Sequence, residues 1–119
     1  MDIFVNSHKK LLELNSLRSV LKQGETLADT PVFVLPARRD GVNLAELAWT
    51  ITAATDKNTL VADYLLESEL QGENLRITWP VSEDFTAMPT DALTLMLVGS
   101  GTEKTPIIKF HGDAPIFVK

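Results

Sequence analysis

The sequence predicts an all-β fold of short strands packed as a sandwich or a barrel. Apolar residues fall on every second position of the run 75–81, Leu-Arg-Ile-Thr-Trp-Pro-Val, as in a strand with one buried face. Similar runs recur along the chain, separated by turn-forming residues at the close spacing of a sandwich or barrel. Helical periodicity explains far fewer of the apolar positions.

Composition limits the classes of protein that are compatible with the chain. A chain of 119 residues and 13.1 kDa predicts a single domain over residues 1–119. The formal charge of −5 argues against nucleic acid as a partner, because lysine and arginine supply most of that affinity. The pair Arg38-Arg39 is therefore interpreted as solvated charge. The absence of cysteine excludes disulfides, a thiol nucleophile and thiolate metal sites.

The N-terminal segment resembles neither a secretory signal nor a membrane anchor. It lacks the basic start and apolar core of a signal peptide, and no apolar run approaches the roughly 20 residues that cross a bilayer. We therefore expect synthesis in the cytoplasm and no membrane insertion. Residues 1–20 contain more apolar side chains than a minimal sandwich needs, so they form either a docked or swapped arm or an extra strand. An extra strand is favoured because sequential strands usually pair.

The first half of the chain yields four predicted strands. They cover residues 9–14, 17–22, 30–36 and 49–53, with intervening turns at Asn15-Ser16, Gln23-Gly24-Glu25 and Arg39-Asp40-Gly41. Pro31 and Pro36 indicate strand ends or an edge, since proline cannot donate to a ladder. Trp49, Ile51 and Ala53 share one face, opposite Thr50 and Thr52, and the polar run 55–58 predicts a hairpin loop.

Residues 60–70 are ambiguous by pattern alone. Their apolar side chains also suit one side of a helix that ends near Gly72, but strands on both sides favour a strand. The remaining predicted strands are 75–81, 93–97, 106–110 and 114–118. Between them lie a loop over 82–89 and turns at Gly99-Ser100-Gly101 and His111-Gly112-Asp113.

A resemblance to a known family covers roughly residues 20–119. Its motifs, in chain order, are Gly24-Glu25-Thr26, Phe33-Val34-Leu35-Pro36, Asp40-Gly41-Val42 with Leu44, Trp49-x-Ile51, Leu75-x-Ile77-x-Trp79-x-Val81-Ser82 and Phe85-Thr86-Ala87. This order resembles small immunoglobulin-like tail or baseplate proteins from prophages of Gram-positive bacteria, such as the N-terminal domain of baseplate upper proteins. The resemblance implies an all-β, immunoglobulin-like antiparallel β-sandwich of about seven to nine short strands. The run Met88-Pro89-Thr90-Asp91 departs from that pattern, because such proteins commonly place a glycine there.

The resemblance implies a non-enzymatic structural protein of a phage or prophage virion. Its activity would be self-association, giving a homo-oligomer, and docking to other tail or baseplate proteins. It would reside in the cytoplasm of the bacterial host during assembly and afterwards in the virion tail. The resemblance implies no catalytic residue, no cofactor and no metal.

The residues themselves offer few candidates for catalysis. His8 and His111 stand in no catalytic motif, and His111-x-Asp113 supplies two ligands where catalytic zinc usually takes three from the protein. A pair from six carboxylates could act as in glycosidases, although a solvated acidic surface is the simpler interpretation. These carboxylates are Glu67, Glu69, Glu73, Glu83, Asp84 and Asp91. We therefore predict that the protein is not an enzyme.

Aromatic residues leave a carbohydrate- or receptor-binding β-sandwich module as the alternative function. Trp49 and Trp79 alternate in register with Ile51 and Ile77, so we expect both indole rings in the core. Tyr64 and Phe85 are then the candidates for exposed contacts.

Overall fold

The computed structural model describes residues 1–14, 17, 19–55, 60–81, 85, 86, 89–101 and 108–119. Within these ranges the regular structure is β-strand, with a 3₁₀ turn at Leu44–Glu46. The strands are β1 (Asp2–Asn6), β2 (Leu11–Leu12), β3 (Val20–Leu21), β4 (Val32–Pro36), β5 (Arg38–Arg39), β6 (Val42–Asn43), β7 (Ala48–Ala54), β8 (Leu60–Gln71), β9 (Asn74–Thr78), β10 (Thr90–Ser100), β11 (Ile108–Gly112) and β12 (Ile116–Val118). The all-β prediction is confirmed.

Eight of these strands form a closed barrel in the order β1-β4-β9-β8-β7-β10-β11-β2, after which β2 pairs with β1 again. The pairs β1–β4 and β2–β11 are parallel, and the other pairs of the ring are antiparallel. Outside the ring, β12 pairs with the first part of β10, β3 pairs with β12, and β5 and β6 form a separate hairpin.

The predicted immunoglobulin-like sandwich is therefore wrong at the level of architecture, because the sheet closes on itself. On one side of the ring, β8 closes the sheet, since its residues 60–66 pair with β7 and its residues 67–71 pair with β9. On the other side β1 joins β4 through residues 2–4 and β2 through residues 5 and 6. Two strands that each change partner thus connect what would otherwise be two sheets.

Several local predictions are confirmed. Residues 60–70 lie in a strand, and the N-terminal segment contributes two strands of the barrel, β1 and β2. Pro31 and Pro36 lie beside the start and at the end of β4, which is flanked by β1 and β9 and so is not an edge strand. The turn at Asp40-Gly41 has φ of 51° and 80°, as a two-residue type I′ hairpin requires.

Other local predictions are corrected. Strand β9 ends at Thr78 rather than at residue 81, because Pro80 has no amide hydrogen with which to continue the ladder. Gly99 and Ser100 belong to β10, and His111 and Gly112 belong to β11. Gly99 and Gly112 therefore lie in strands and not in the predicted turns. The predicted turn at Asn15-Ser16 lies outside the described residues, as do residues 56–59 of the hairpin loop and most of the loop over 82–89.

The core is one connected cluster of inward-facing side chains from both sides of the barrel. Trp49 is almost fully buried, its indole stacks on the Phe110 ring at 6.3 Å, and its Nε1 donates to the Leu44 carbonyl at 2.9 Å. That carbonyl belongs to the 3₁₀ turn, which is capped by the Asn43 side chain accepting from the Ala45 amide. The turn and the strand therefore fix the position of the indole ring together.

Gly99 faces this indole ring directly across the β7–β10 ladder. A Cβ at position 99 would lie 2.8 Å from Trp49 Cη2 and 2.9 Å from Leu47 Cδ1. The ring cannot move aside without losing its hydrogen bond and its stacking partner. A residue without a side chain is therefore required at this position for steric reasons.

We expect Gly99→Ala to destabilise the protein by about 1–3 kcal/mol, because the added methyl group overpacks the core against a fixed ring. Urea denaturation should show a lower midpoint with an unchanged slope. The matched control is Ser100→Ala on the outer face, which should change stability by less than about 0.5 kcal/mol. Equal stability of the two variants would contradict the steric role of Gly99.

Candidate functional site

Where β7 and β10 pair with each other, over residues 48–54 and 94–100, their outer face carries no charged side chain. The four facing pairs are Ala48–Ser100, Thr50–Val98, Thr52–Met96 and Ala54–Thr94. They point outward because Trp49, Ile51, Ala53, Leu95 and Leu97 alternate with them and are buried. We call these eight residues the low-charge face. In a chain in which 23% of residues are charged, this composition is distinctive.

The strands on either side of the low-charge face carry charges of opposite sign. On β8, Leu65 lies opposite Thr50 and Asp63 opposite Thr52, while Glu67, two residues beyond Leu65, pairs with Thr78 on β9. On β11, Lys109 lies opposite Val98 and His111 opposite Met96. Leu65 is 75% exposed, the highest value among the exposed large apolar side chains of the described residues. Asp63, Glu67 and Lys109 form no salt bridge within the described part of the chain.

Depletion of charge, with polar and charged groups at the margin, is the compositional signal of a protein–protein interface core. Leu65 extends the apolar area of this face toward β8. The low-charge face and Leu65 are therefore the candidate docking surface. Sequence reasoning did not find it, because only the pairing of β7 with β8 and β10 brings these residues together.

A second surface lies across the barrel, where β1 is flanked by β4. Phe4 is 61% exposed there, between Val34 on β4 and Glu13, whose amide donates to the Phe4 carbonyl. On the same side, the Arg76 guanidinium donates to the Asp2 carboxylate at 2.9 Å. This surface contains fixed charges and one exposed ring, so it differs chemically from the low-charge face.

The ion pair between Arg76 and Asp2 perturbs one titration. The hydrogen bond from the Arg76 guanidinium holds the pKa of the Asp2 carboxyl below its ordinary value of 3.8, and the positive charges of Arg76 and the N-terminal ammonium act in the same direction. Partial burial opposes this shift more weakly than the hydrogen bond favours it. Because both side chains are substantially exposed, the pair fastens β1 to β9 only loosely.

A groove of about 520 Å³ lies between the β5–β6 hairpin and the tip of the β8–β9 hairpin. Its lining residues are Pro36, Ala37, Arg38, Asn43, Leu70, Gly72 and Glu73. Arg38 and Glu73 bring opposite charges, and Asn43 already caps the 3₁₀ turn. The groove thus offers Leu70 as an exposed apolar contact but no convergent set of polar groups.

The structure places the two residues of the His111-x-Asp113 motif in different surroundings. Asp113 uses its carboxylate to accept from the Leu14 amide at 3.0 Å, while His111 projects from the outer face of β11. His8 is exposed in the turn after β1. No group of three potential metal ligands occurs among the described residues. Glu67 and Glu69 are exposed on β8 and Glu73 in the following turn, whereas Glu83, Asp84 and the Asp91 side chain lie outside the described part.

The predictions for the aromatic residues are confirmed in part. Trp49 and Trp79 are each 1% exposed, which confirms the core assignment. The expectation of an exposed Phe85 is wrong, since its ring packs edge-on against Trp79 at 5.2 Å and against Tyr64 at 6.3 Å. Tyr64 is half-buried by the same contact. Phe4 is the exposed large aromatic side chain of the described residues.

Comparison with known proteins finds no matching family model, no similar curated protein and no similar solved structure. The described part of the chain contains no helix with the length and apolar character needed to span a membrane.

We expect the Asp2 carboxyl to titrate below 3.8 in the folded protein and Arg76→Gln to raise its pKa toward that ordinary value. Because the folded pKa is depressed, the stabilising contribution is present above the unfolded pKa and is lost as pH falls through the folded pKa. Side-chain NMR across the acid range measures the pKa of Asp2 in the wild-type protein and in Arg76→Gln. Asp2→Asn should remove this part of the acid dependence, and an unchanged Asp2 titration in Arg76→Gln would refute the cause.

Burial of both indoles also predicts a tryptophan emission spectrum that is blue-shifted relative to the unfolded protein and weakly quenched by iodide. Added oligosaccharides should leave the spectrum unchanged, because neither ring can stack on a sugar. The same protein in guanidinium chloride provides the exposed reference. A red spectrum that responds to glycans would contradict the core positions of Trp49 and Trp79.

Proposed function

We propose that this protein is a non-enzymatic structural component of a phage or prophage virion, in the tail or baseplate. It acts by docking to neighbouring tail proteins through the low-charge face and Leu65. The assignment to a virion rests on the sequence resemblance described above. The docking role rests on the chemistry of the outer surface of the barrel.

The observation that carries the docking role is the uncharged outer surface of β7 and β10 with an exposed leucine beside it. Threonine, alanine, valine and methionine side chains can be desolvated at low cost relative to carboxylates and ammonium groups. Paired strands hold them in a fixed arrangement, so little ordering is needed when a partner binds. These properties suit a subunit that occupies one defined place in a larger assembly.

The proposal includes the cellular location. The chain is made in the cytoplasm of the bacterial host, where tails assemble, and leaves the cell as part of the virion. It needs no cofactor, and its partners are other tail or baseplate proteins and copies of itself.

The alternative is a carbohydrate- or receptor-binding module, and one observation favours it. Phe4 presents an exposed ring on β1, and exposed aromatic rings can stack on sugars. This alternative uses the surface across the barrel from the low-charge face, so substitutions distinguish the two functions.

The test replaces the chromosomal copy with Leu65→Glu in cells that produce the phage. A carboxylate at position 65 would add a second negative charge next to Asp63 at the edge of the low-charge face, where a bound partner would desolvate it. We therefore expect the variant to be lost from purified tails by at least about tenfold. Mass spectrometry of purified particles measures its incorporation. Phe4→Glu is the matched control, because it places the same charge at a similarly exposed position, and it should be incorporated normally.

Three results would count against the proposal. The wild-type chain could be absent from particles, Leu65→Glu could be incorporated as well as wild type, or Phe4→Glu could abolish adsorption to host cells while assembly remains normal. The last result would favour the glycan or receptor function. Circular dichroism of both purified variants confirms that each one folds.

A further inference from the structure

We propose that the partner of the low-charge face is a second copy of this chain, bound across a two-fold axis that runs parallel to the strands between β7 and β10. The inference rests on the proposed docking function and names the occupant of the same surface. It is argued from the arrangement of charge at the two margins of the face.

The two margins are complementary to each other. The β8 margin presents Asp63 beside β7, with Glu67 just beyond the point where β8 leaves β7 for β9, and the β11 margin presents Lys109 and His111. A two-fold axis between β7 and β10 exchanges the two margins, so the acidic strand of one copy faces the basic strand of the other. An isologous contact forms each such pairing twice. A face with one sign of charge on both margins would instead repel its own copy.

The strand register places the charged side chains of the two margins in matching rows of the sheet. Leu65, Thr50, Val98 and Lys109 lie in one row across the four strands, because each is paired with the next. Asp63 lies in the next row on one side, opposite Thr52, and Glu67 follows on the other side, where β8 already pairs with β9. After the two-fold rotation, Lys109 of one copy is therefore level with Leu65 of the other and lies between its two carboxylates. The lysine stem can pack on the leucine while the ammonium group reaches either carboxylate.

The centre of the contact is suited to this arrangement. Thr50, Thr52, Met96 and Val98 occupy the middle rows, half-buried within the sheet and free of charge. Two such faces pack as aligned sheets, with strand directions within about 30° of each other. Thr52 already directs its hydroxyl to the Met96 carbonyl at 3.4 Å, so it does not require a partner from the second copy.

The area of the contact, which spans all four strands, predicts a weak dimer. Four strands about 4.8 Å apart, each rising about 3.4 Å per residue, give a footprint of roughly 500 Å² per copy. Stable interfaces bury about 800 Å² per partner, so this contact belongs to the low end of the range. Dimer formation should therefore depend on concentration, as suits a subunit that also meets other tail proteins at high local concentration.

The experiment measures the mass of the purified full chain by sedimentation equilibrium from about 1 µM to about 1 mM. We expect a reversible rise from 13.1 kDa toward twice that value, weakened by added salt. Lys109→Glu should weaken dimerisation by about tenfold, because it places like charges between the two copies. The pair Asp63→Lys with Glu67→Lys should weaken it similarly.

The decisive variant combines Lys109→Glu, Asp63→Lys and Glu67→Lys, which reverses both margins and should restore the dimer. Arg38→Glu is the control, since it makes the same change of charge in the groove at the β5–β6 hairpin and should leave dimerisation unchanged. Circular dichroism verifies the fold of each variant.

Three results would overturn the inference. They are a strict monomer at the highest concentration, a dimer whose strength is unchanged by charge reversal at one margin, and a dimer that the combined reversal fails to restore. These failures are distinguishable from failure of the proposed function. A monomeric chain whose Leu65→Glu variant is lost from tails would still dock through this face, but to a different tail protein.

Discussion

The structure depends on the change of partner within β8. Residues 60–66 complete a ladder with β7, and residues 67–71 complete a ladder with β9, so one long strand belongs to both sides of the barrel. A shorter strand could pair with only one of them, and the sheet would remain open at this point. Closure gives each of the eight strands two neighbours and removes the long exposed edges that an open sandwich presents.

Closure also decides how such a protein can associate with others. With the edges of the ring paired, the ring offers a partner outward side chains rather than unpaired backbone groups. Strand β3 remains at the end of the sheet, but it contains two residues and can template little pairing. The low-charge face of β7 and β10 can be desolvated at low cost, and it lies between strands that carry charges of opposite sign.

Inside the barrel, one corner shows how local and distant residues constrain each other. The 3₁₀ turn presents the Leu44 carbonyl, Trp49 donates its indole N–H to that carbonyl, and Gly99 leaves room for the ring. Each of these features is unremarkable in the sequence, and each is required by the other two. The same strands carry the low-charge face on their outer side, so the packing of Trp49 supports the docking surface from below.

The sequence by itself determined the strand character of the chain, because alternation of apolar and polar residues is a property of neighbours along the backbone. It correctly placed both tryptophans in the core and the turn at Asp40-Gly41. Uncharged outward positions were also visible, as Thr50 and Thr52 in one run and Thr94 and Met96 in another. Their alternation with buried residues identified which side of each strand meets solvent.

Only the tertiary structure decided which strands pair, since pairing joins residues that are distant along the chain. Strands β7 and β10 meet across some 40 intervening positions, and no local pattern specifies that register. Closure into a barrel, the role of Gly99 inside β10 and the burial of Phe85 all depend on such distant contacts. The candidate docking surface likewise exists only after four strands lie side by side, because a surface without charge is formed by neighbours in space.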